Sequence, residues 1–419
     1  MLICYNELIL KNKFGKTIEL LAPAGDFSLL KTAFYFGADA VYLGGKEFSL
    51  RAKSGNFSNE EIIDAVKYSH AVCSDAASDV RAMNKKLYVT VNIFARNNDF
   101  DKIKEYALFL ENAGVDGVII SDLGVLKIFK SLTNLEIHIS TQANVCNSET
   151  AMQYVELGAN RIILARELPI ADINEICDRL EGKADIEVFV HGAMCMSYSG
   201  RCFMSKYMTG RDANRGDCAH PCRYKYVLQE EKRPDEYFPV EEDSNGTYIM
   251  NSRDLCLIEK LNDLADAGVA SFKIEGRMKN EHYVGGVVNT YRRAMNGEIF
   301  DFMTELKKLP HRSYTTGFTF NDQNKEFEKS AASISNYIVA AVVVENDQDI
   351  TAQKQPDSFK IKIKNKIVTG DELEILSPSD SNGKTFVFNG ETANVPESII
   401  SIDCPYKLEP YDVLSKKAR

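Results

Sequence analysis

The sequence predicts an α/β protein, a TIM-like (β/α)8 barrel followed by a small C-terminal antiparallel β-barrel. Three observations lead to this prediction. Short, almost uninterrupted apolar segments alternate with amphipathic segments, a pattern typical of parallel strands covered by helices. Eight such units follow one another over about 280 residues, which is the number and size of a TIM barrel. From about residue 336 the apolar period changes to strict alternation, which indicates antiparallel strands.

The barrel elements can be taken in order along the chain. The eight predicted strands are short apolar segments, at residues 18–23, 38–45, 86–93, 117–121, 136–141, 161–164, 185–192 and 271–276. Amphipathic segments between and after them predict helices, at residues 27–37, 103–114, from 123 onward, 150–158, 169–180, 254–268 and 282–295. Asp26 is a good N-cap for the first helix. A doubly wound sheet usually has fewer strands and a glycine fingerprint after the first strand, which this sequence lacks.

The same patterns divide the chain into three parts. Residues 1–300 form the barrel, and residues 301–335 form a bridge that contains PHRSYTTGF. Residues 336–419 form the small β-barrel domain, in which alternating strands are separated by turn residues. Residues 73–85 and 228–247 are polar and irregular, so we interpret them as excursions from the barrel. The last domain is either an RNA-contacting module or a packing module.

Charge and terminal composition limit the class of protein. The formal net charge of −10 argues against a general nucleic-acid coat, because non-specific binding depends on neutralising phosphates. A local basic patch at residues 201–233 still allows an RNA substrate, although a mixed-charge solvated surface explains it equally well. The first residues lack a positively charged leader, and no apolar stretch approaches a membrane-spanning length. We therefore expect a cytoplasmic protein that does not contact a membrane.

Four of the ten cysteines lie within residues 185–223, which we call the cysteine module: Cys195, Cys202, Cys218 and Cys222. Thiolates bind soft and borderline metals, so four of them suit a zinc ion or an iron–sulfur cluster. Zinc ribbons usually contain two tight pairs with two intervening residues, and no pair here has that spacing, which favours a cluster. Buried thiols and a disulfide are the alternatives. A glycine-rich, basic loop and a reducing compartment make both less suitable.

The cysteine module, with its EVFVHGAMCMSYSGRCFMS and RGDCAHPCRYKY segments, resembles the collagenase-like peptidase family, peptidase family U32. The resemblance covers roughly residues 17–300 and includes ELLAPAG, ADAVYLGG, FSLRAKSGNFS, MNSRDL and SFKIEGRMK. The second module segment resembles the tRNA hydroxylation branch. Membership of that branch implies an iron–sulfur protein that forms 5-hydroxyuridine at the wobble position of tRNA. Prephenate, a dicarboxylate, is then the implied oxygen donor.

The resemblance also implies the ligands of a 4Fe–4S cluster. The RGDCAHPCRY context favours the four module cysteines, whereas other branches use the position of Cys256 as the fourth ligand. Cys256 can instead be a thiol on a helix face.

Further candidate site residues lie at the ends of predicted strands, where TIM barrels carry their chemistry. Lys273 and Glu275 alternate on one strand and point the same way, which suits either catalysis or a buried ionic network. His191, four residues before the first module cysteine, is a ligand, a general base or a hydrogen-bonded orienting residue. Guanidinium groups match carboxylate oxygens in pairs, so four arginines are candidates for binding the dicarboxylate or for salt bridges with acids at the mouth: Arg51, Arg166, Arg201 and Arg277.

The main alternative is the peptidase activity in the family name. A peptidase needs an activated nucleophile or a metal-bound water, and the sequence contains neither HExxH nor GxSxG. Hydroxylation of ribosomal RNA or of a quinone precursor, known from other branches of the family, is a further alternative.

Overall fold

The computed structural model describes residues 10–49, 55–72, 85–195, 200, 202–223, 228–230, 233–238, 242–243, 246–247, 253–320, 334–344 and 358–418. Its strands, in chain order, are β1 Glu19–Pro23, β2 Ala40–Gly44, β3 Lys86–Val91, β4 Gly117–Ile120, β5 Glu136–Ile139, β6 Arg161–Ile163, β7 Asp185–Ala193, β8 Leu228–Glu230, β9 Arg233–Phe238, β10 Glu242–Asp243, β11 Gly246–Thr247, β12 Asp254–Cys256, β13 Ser271–Ile274, β14 Tyr314–Thr315, β15 Tyr337–Val343, β16 Ser358–Ile363, β17 Glu372–Leu376, β18 Thr385–Val387, β19 Ile399–Asp403 and β20 Val413–Lys417.

The helices lie mainly between the barrel strands. They are α1 Phe27–Tyr35, α2 Asn59–Val72, α3 Phe100–Ala113, α4 Leu123–Leu132, α5 Ser148–Glu156, α6 Ile170–Leu180, α7 Met204–Thr209, α8 Leu261–Asp266, α9 Glu281–Met295 and α10 Phe302–Lys307. Asp26 accepts a hydrogen bond from the Leu29 amide, so it caps α1 as predicted. Helix α2 was not predicted.

Eight parallel strands close into a barrel, which confirms the predicted TIM-like fold. The order is β13, β1, β2, β3, β4, β5, β6, β7, and β7 also pairs with β13 to complete the circle. Each pairing around this circle is parallel. The cysteine module therefore begins with β7, and its four cysteines lie between β7 and the eighth barrel strand. Loops at the carboxyl ends of the strands form the mouth of the barrel, where TIM barrels carry their sites.

The prediction of one continuous helix over residues 254–268 was wrong. Its first residues form β12, which pairs antiparallel with the far end of β7, and a 3-10 turn at Ile258–Lys260 leads into α8. Strand β7 extends beyond its parallel neighbours and offers unpaired backbone groups to β12. Asp254 is also held by Arg312, which donates to both carboxylate oxygens at 2.7–3.0 Å. These long-range bonds outweigh the local helical pattern.

The C-terminal strands form a six-stranded antiparallel sheet in the order β18, β17, β20, β15, β16, β19. The sheet curls into a half-barrel around its own apolar cluster, which confirms the predicted small antiparallel domain. Lys308 pairs with Glu374 on β17, and Lys364 pairs with Glu281 at the start of α9. The sheet is therefore docked against the barrel next to α9. Among the described residues, no helix is both long enough and apolar enough to cross a membrane.

Candidate active site at the barrel mouth

The mouth of the barrel contains a cavity that is open to solvent, which we call the mouth cavity. Most of its lining comes from the carboxyl-terminal halves of the barrel strands and the loops that follow them. The lining residues are Tyr42, Thr90, Asn92, Ile119, Ser140, Thr141, Gln142, Ile163, Phe189, Lys273, Glu275 and Arg277. Lys273, Glu275 and Arg277 are thus brought to one cavity, as the alternation of their strand predicted. Their catalytic and binding roles remain predictions.

Lys273 forms the charged floor of the mouth cavity. Its side chain is almost completely buried, and Nζ lies 2.9 Å from an oxygen of Glu187, which is fully buried. The ammonium also lies 4.3 Å from the centroid of the Tyr42 ring, a distance suited to a cation–π interaction. Lys273 is therefore fixed in place before any ligand enters.

Arg277 forms part of the cavity wall and is held by neutral oxygens. It donates from Nη1 to Thr90 Oγ1 at 3.0 Å and from Nη2 to Ser49 Oγ at 2.8 Å and Asn56 Oδ1 at 3.1 Å. Gly44 makes room for it, because a Cβ there would lie 2.7 Å from Nη1 and 2.5 Å from Ser49 Oγ. These contacts orient the guanidinium in the cavity wall.

The opposite wall is neutral and hydrogen-bonding. Asn92 Nδ2 donates to Gln142 Oε1 at 3.2 Å, and the Ser140 hydroxyl donates to the same oxygen. A small polar ligand in this cavity therefore meets two cations and the Glu275 carboxylate on one side, and amide and hydroxyl groups on the other. This combination suits an anionic ligand that also carries hydroxyl or carbonyl groups.

Beneath the mouth cavity, the barrel interior contains an ionic network that the sequence patterns did not predict. Arg161 bridges Glu19 at 2.5 Å and Glu187 at 3.0 Å, and Glu187 connects the network to Lys273. Burial alone would raise the pKa of Glu19, but the charge and hydrogen bonds of Arg161, with a hydrogen bond from Tyr88, lower it to about 2. Burial opposes ionisation of Glu187 as well, yet the charges of Lys273 and Arg161 lower its pKa. The sequence does contain a signal for this network, because Glu19, Arg161, Glu187 and Lys273 are charged residues within otherwise apolar strand segments.

His191 lies outside the mouth cavity, although it belongs to the same strand as Phe189. Strand β7 contains one extra residue relative to β13 at this point, because Lys273 pairs with Phe189 and Ile274 pairs with His191. The imidazole is buried next to the tyrosines of α9, with Nδ1 3.3 Å from the Tyr291 hydroxyl. Burial lowers the pKa of His191 to about 3. Of the three roles considered for it, this position favours the hydrogen-bonded orienting residue.

Cys256 lies beside His191 and is buried. In β12 it pairs with His191, and its Sγ is 3.9 Å from the Tyr291 hydroxyl. Burial raises the pKa of the Cys256 thiol to about 11, which opposes formation of a thiolate. It lies on a short strand and not on a helix, so the predicted helix-face location was wrong. These surroundings are less suited to a metal ligand than those of the exposed Cys195.

The cysteine module is attached to loops at the mouth. Gly200 packs against the Gln142 carbonyl so closely that a Cβ could not be accommodated. Arg215 donates to the Phe94 carbonyl and to Asp99, both at 2.9 Å, on the loop after β3. These contacts place the described part of the module beside the cavity.

Inside the module, hydrogen bonds connect the segments that carry the cysteines. The Ala219 amide donates to Ser205 Oγ at 2.9 Å, which ties the residue after Cys218 to α7. The His220 amide lies 3.4 Å from Cys218 Sγ, in the arrangement by which an N–H stabilises a thiolate. In the part of the chain that the structure describes, no three Cys, His, Asp or Glu side chains meet closely enough to hold a metal ion, and the cluster ligands remain a prediction.

Of the remaining predicted arginines, Arg166 lies at the end of β6, outside the set that lines the cavity. It donates to the Ala193 carbonyl at 2.8 Å, two residues before Cys195, and stacks over the Phe189 ring. Arg166 thus stabilises the end of β7, just before the first cysteine of the module. Arg51 and Arg201 lie outside the described residues.

Within the described part of the chain, neither a cysteine nor a histidine lines the mouth cavity. Arg277, Lys273 and Glu275 provide two cations and an acid around a polar space. This arrangement is suited to binding and orienting a small carboxylate.

Comparison with known proteins identifies the family. The model of peptidase family U32 matches residues 25–329. An uncharacterized protease of Methanocaldococcus jannaschii is 44% identical over 322 residues, which cover 74% of this chain and 75% of that protein. The tRNA hydroxylation protein P1 of Bacillus subtilis is 34% identical over 387 residues, 89% of this chain and 86% of that protein. The tRNA hydroxylation protein P of Escherichia coli is 34% identical over 414 residues, 86% of each chain. The chain belongs to peptidase family U32.

Proposed function

We propose that this protein is an iron–sulfur-dependent tRNA hydroxylation protein that forms 5-hydroxyuridine at the wobble position, with prephenate as oxygen donor. The observation that carries the proposal is that Lys273 and Arg277 line the same cavity, which lies beside the cysteine module. The similarity over most of the chain to proteins called tRNA hydroxylation proteins supports tRNA hydroxylation at the level of the family.

The proposed ligands of the 4Fe–4S cluster are Cys195, Cys202, Cys218 and Cys222. Their chemistry fits the group, because thiolates are the usual ligands of iron–sulfur clusters and a backbone N–H is already directed at one sulfur. When bound, the cluster would supply one-electron chemistry beside the cavity. Cys256 is the weaker candidate, since burial holds its thiol protonated.

The residues of the chain have separate roles in this proposal. Arg277, oriented by Thr90 and Ser49, donates a single hydrogen bond to one carboxylate of the donor, and Lys273 faces the second carboxylate from the cavity floor. The amide groups of Asn92 and Gln142 form hydrogen bonds with polar groups of the ligand. These groups are the hydroxyl and carbonyl groups of prephenate or the edge of the uracil ring. Glu275 is the acid of the cavity lining, placed to accept a proton from the donor or the base.

Metal analysis tests the cofactor. After anaerobic purification, iron and acid-labile sulfide should be present at about four each per chain. Cys222→Ser should lose them, whereas Cys256→Ser should keep them. Cys177→Ser is the matched control, because Cys177 is buried on α6, where burial raises its pKa to about 12. Stoichiometric zinc without sulfide would contradict the cluster and reopen the peptidase alternative.

Nucleoside analysis tests the substrate. Mass spectrometry of tRNA from a deletion strain should show loss of 5-hydroxyuridine, restored by the parent gene but not by the Arg277→Lys variant. The deletion should be made in a strain that also lacks other routes to tRNA hydroxylation, because these routes could otherwise replace the missing activity. Persistence of 5-hydroxyuridine, with loss of a hydroxylated ribosomal cytidine or of a quinone intermediate, would assign the protein to another branch of the family.

A further inference from the structure

The short helix α7 carries aromatic side chains that are unusually exposed. Tyr207 is 82% exposed and Phe203, which precedes the helix, is 67% exposed. Large aromatic side chains are normally at least partly buried, so two exposed rings one helical turn apart indicate a binding surface. We propose that Phe203 and Tyr207 form a stacking surface for unpaired RNA bases at the rim of the mouth. This inference rests on the proposed function and names the element that receives the RNA.

The two rings belong to one side of one helical turn. Phe203 and Tyr207 are four residues apart, and the Tyr207 amide donates to the Phe203 carbonyl at 3.0 Å. Side chains with this spacing are neighbours on a helix surface. Two aromatic faces one turn apart can therefore contact two bases of the same strand.

The exposure of the rings is imposed by the fixed position of the helix. Ser205, between them in sequence, is completely buried and accepts the hydrogen bond from the Ala219 amide. At the other end, Gly210 closes the helix with a φ of 71°, and its N–H donates a hydrogen bond to the Lys206 carbonyl. The helix is thus held by its polar side, which leaves the aromatic side facing solvent.

Local charge favours a polyanion as the occupant. Residues 202–223 contain four basic and two acidic residues, a local charge of +2 in a chain whose net charge is −10. Lys206, next to Tyr207, is exposed on the same helix. A cation beside stacking aromatic rings is the combination with which proteins hold single-stranded nucleic acid. An apolar protein partner would not require this positive charge.

The position of the surface suits delivery of a base to the cavity. Cys202 immediately precedes Phe203, and the module that carries both is attached to Gln142 and to the loop after β3. Gln142 itself lines the mouth cavity. Bases stacked on α7 would therefore lie next to the base that enters the cavity.

Binding of a synthetic RNA stem–loop with uridine at the first anticodon position tests the surface. Fluorescence anisotropy with the full-length protein should give about tenfold weaker binding for Phe203→Ala and for Tyr207→Ala. Lys206→Gln should reduce the slope of log affinity against log salt concentration by an amount that corresponds to about one phosphate contact. Ile399→Ala is the matched control, because Ile399 is 58% exposed on the remote β19 and its removal should leave binding unchanged.

The outcomes separate this inference from the proposed function. Parent-like binding by the double variant Phe203→Ala/Tyr207→Ala would overturn the stacking surface and leave the proposed function standing. Absence of any stem–loop binding by the parent protein would overturn both. Equal affinity for a fully paired RNA of the same length would overturn base stacking. A change from dimer to monomer in the double variant, measured by sedimentation, would assign the rings to a contact between copies of the chain.

Discussion

Lys273 Nζ lies 2.9 Å from one oxygen of Glu187 inside the barrel, and Arg161 donates to the other oxygen of the same carboxylate at 3.0 Å. One buried acid thus holds two cations, one of which is the floor of the mouth cavity. Typical TIM barrels fill this space with branched apolar side chains. The ionic interior of this barrel therefore positions a charge for the site above it.

We predict that Glu187→Gln destabilises the protein strongly. The substitution keeps the shape of the side chain but leaves Lys273 and Arg161 without the carboxylate between them. Removing one member of a buried ionic network costs on the order of 3–5 kcal/mol. Urea unfolding measures the change. Asp101→Asn, which breaks the exposed pair with Lys104, should cost less than about 1 kcal/mol. An equal loss in both variants would contradict the structural role of Glu187.

Arg277→Lys should weaken binding of prephenate. Lysine keeps the charge but lacks the planar set of donors with which Arg277 bonds to Ser49 and Thr90 and still faces the cavity. The loss of one charge-assisted hydrogen bond corresponds to a decrease in affinity of about 10–100-fold. Isothermal titration calorimetry measures it, with Arg293→Lys as the control because Arg293 pairs with Glu298 away from the cavity. Unchanged affinity in the Arg277 variant would show that the carboxylate binds elsewhere.

Gly44→Ala should disturb the same arginine without changing its chemistry. A Cβ at this position would lie 2.5 Å from Ser49 Oγ and 2.7 Å from Arg277 Nη1, so both side chains must move. Overpacking of this kind costs about 1–3 kcal/mol, measurable by urea unfolding. The double variant Gly44→Ala/Ser49→Ala removes the nearer atom and should recover part of the loss. Additive losses in the double variant would show that the clash with Ser49 is not the cause.

Asp412 should make stability depend on pH. Burial raises the pKa of Asp412 from 3.8 to about 6 in the folded protein, despite hydrogen bonds from the Glu409 amide and the Tyr35 hydroxyl. Between these values the folded state keeps a proton that the unfolded state has released, so this contribution to stability falls as pH rises and is lost above about 6. Asp412→Asn should flatten that decrease, by on the order of 3 kcal/mol at most.

The control for this prediction is a difference measurement. Glu19 has a lowered pKa and contributes in the opposite direction, with stability lost as pH falls toward about 2. The free energy of unfolding of Asp412→Asn minus that of the parent, followed across the acidic range, isolates Asp412 because all other carboxyl groups cancel. A difference that is constant across this range would contradict the raised pKa.

Local patterns were sufficient for the barrel and for the location of its site. The alternating apolar and amphipathic segments predicted all eight barrel strands because each strand of a parallel sheet is buried on both faces. The alternation of Lys273 and Glu275 predicted that both point into one space, and both line the mouth cavity. The four module cysteines follow the predicted seventh strand and precede the predicted eighth, and the structure has both strands at these positions.

The tertiary structure decided the features that depend on distant partners. His191 is turned away from the cavity by one extra residue in β7 relative to β13, and this difference exists only between two paired strands. Residues 254–256 form a strand because the end of β7 offers backbone hydrogen bonds that a helix cannot use. The link from Glu187 to Lys273 crosses between strands far apart in sequence. Sequence alone determined the spacing of buried residues along each strand and helix, because this spacing is a local property. It could not specify which distant residues bond to one another, because that depends on how the closed barrel brings them together.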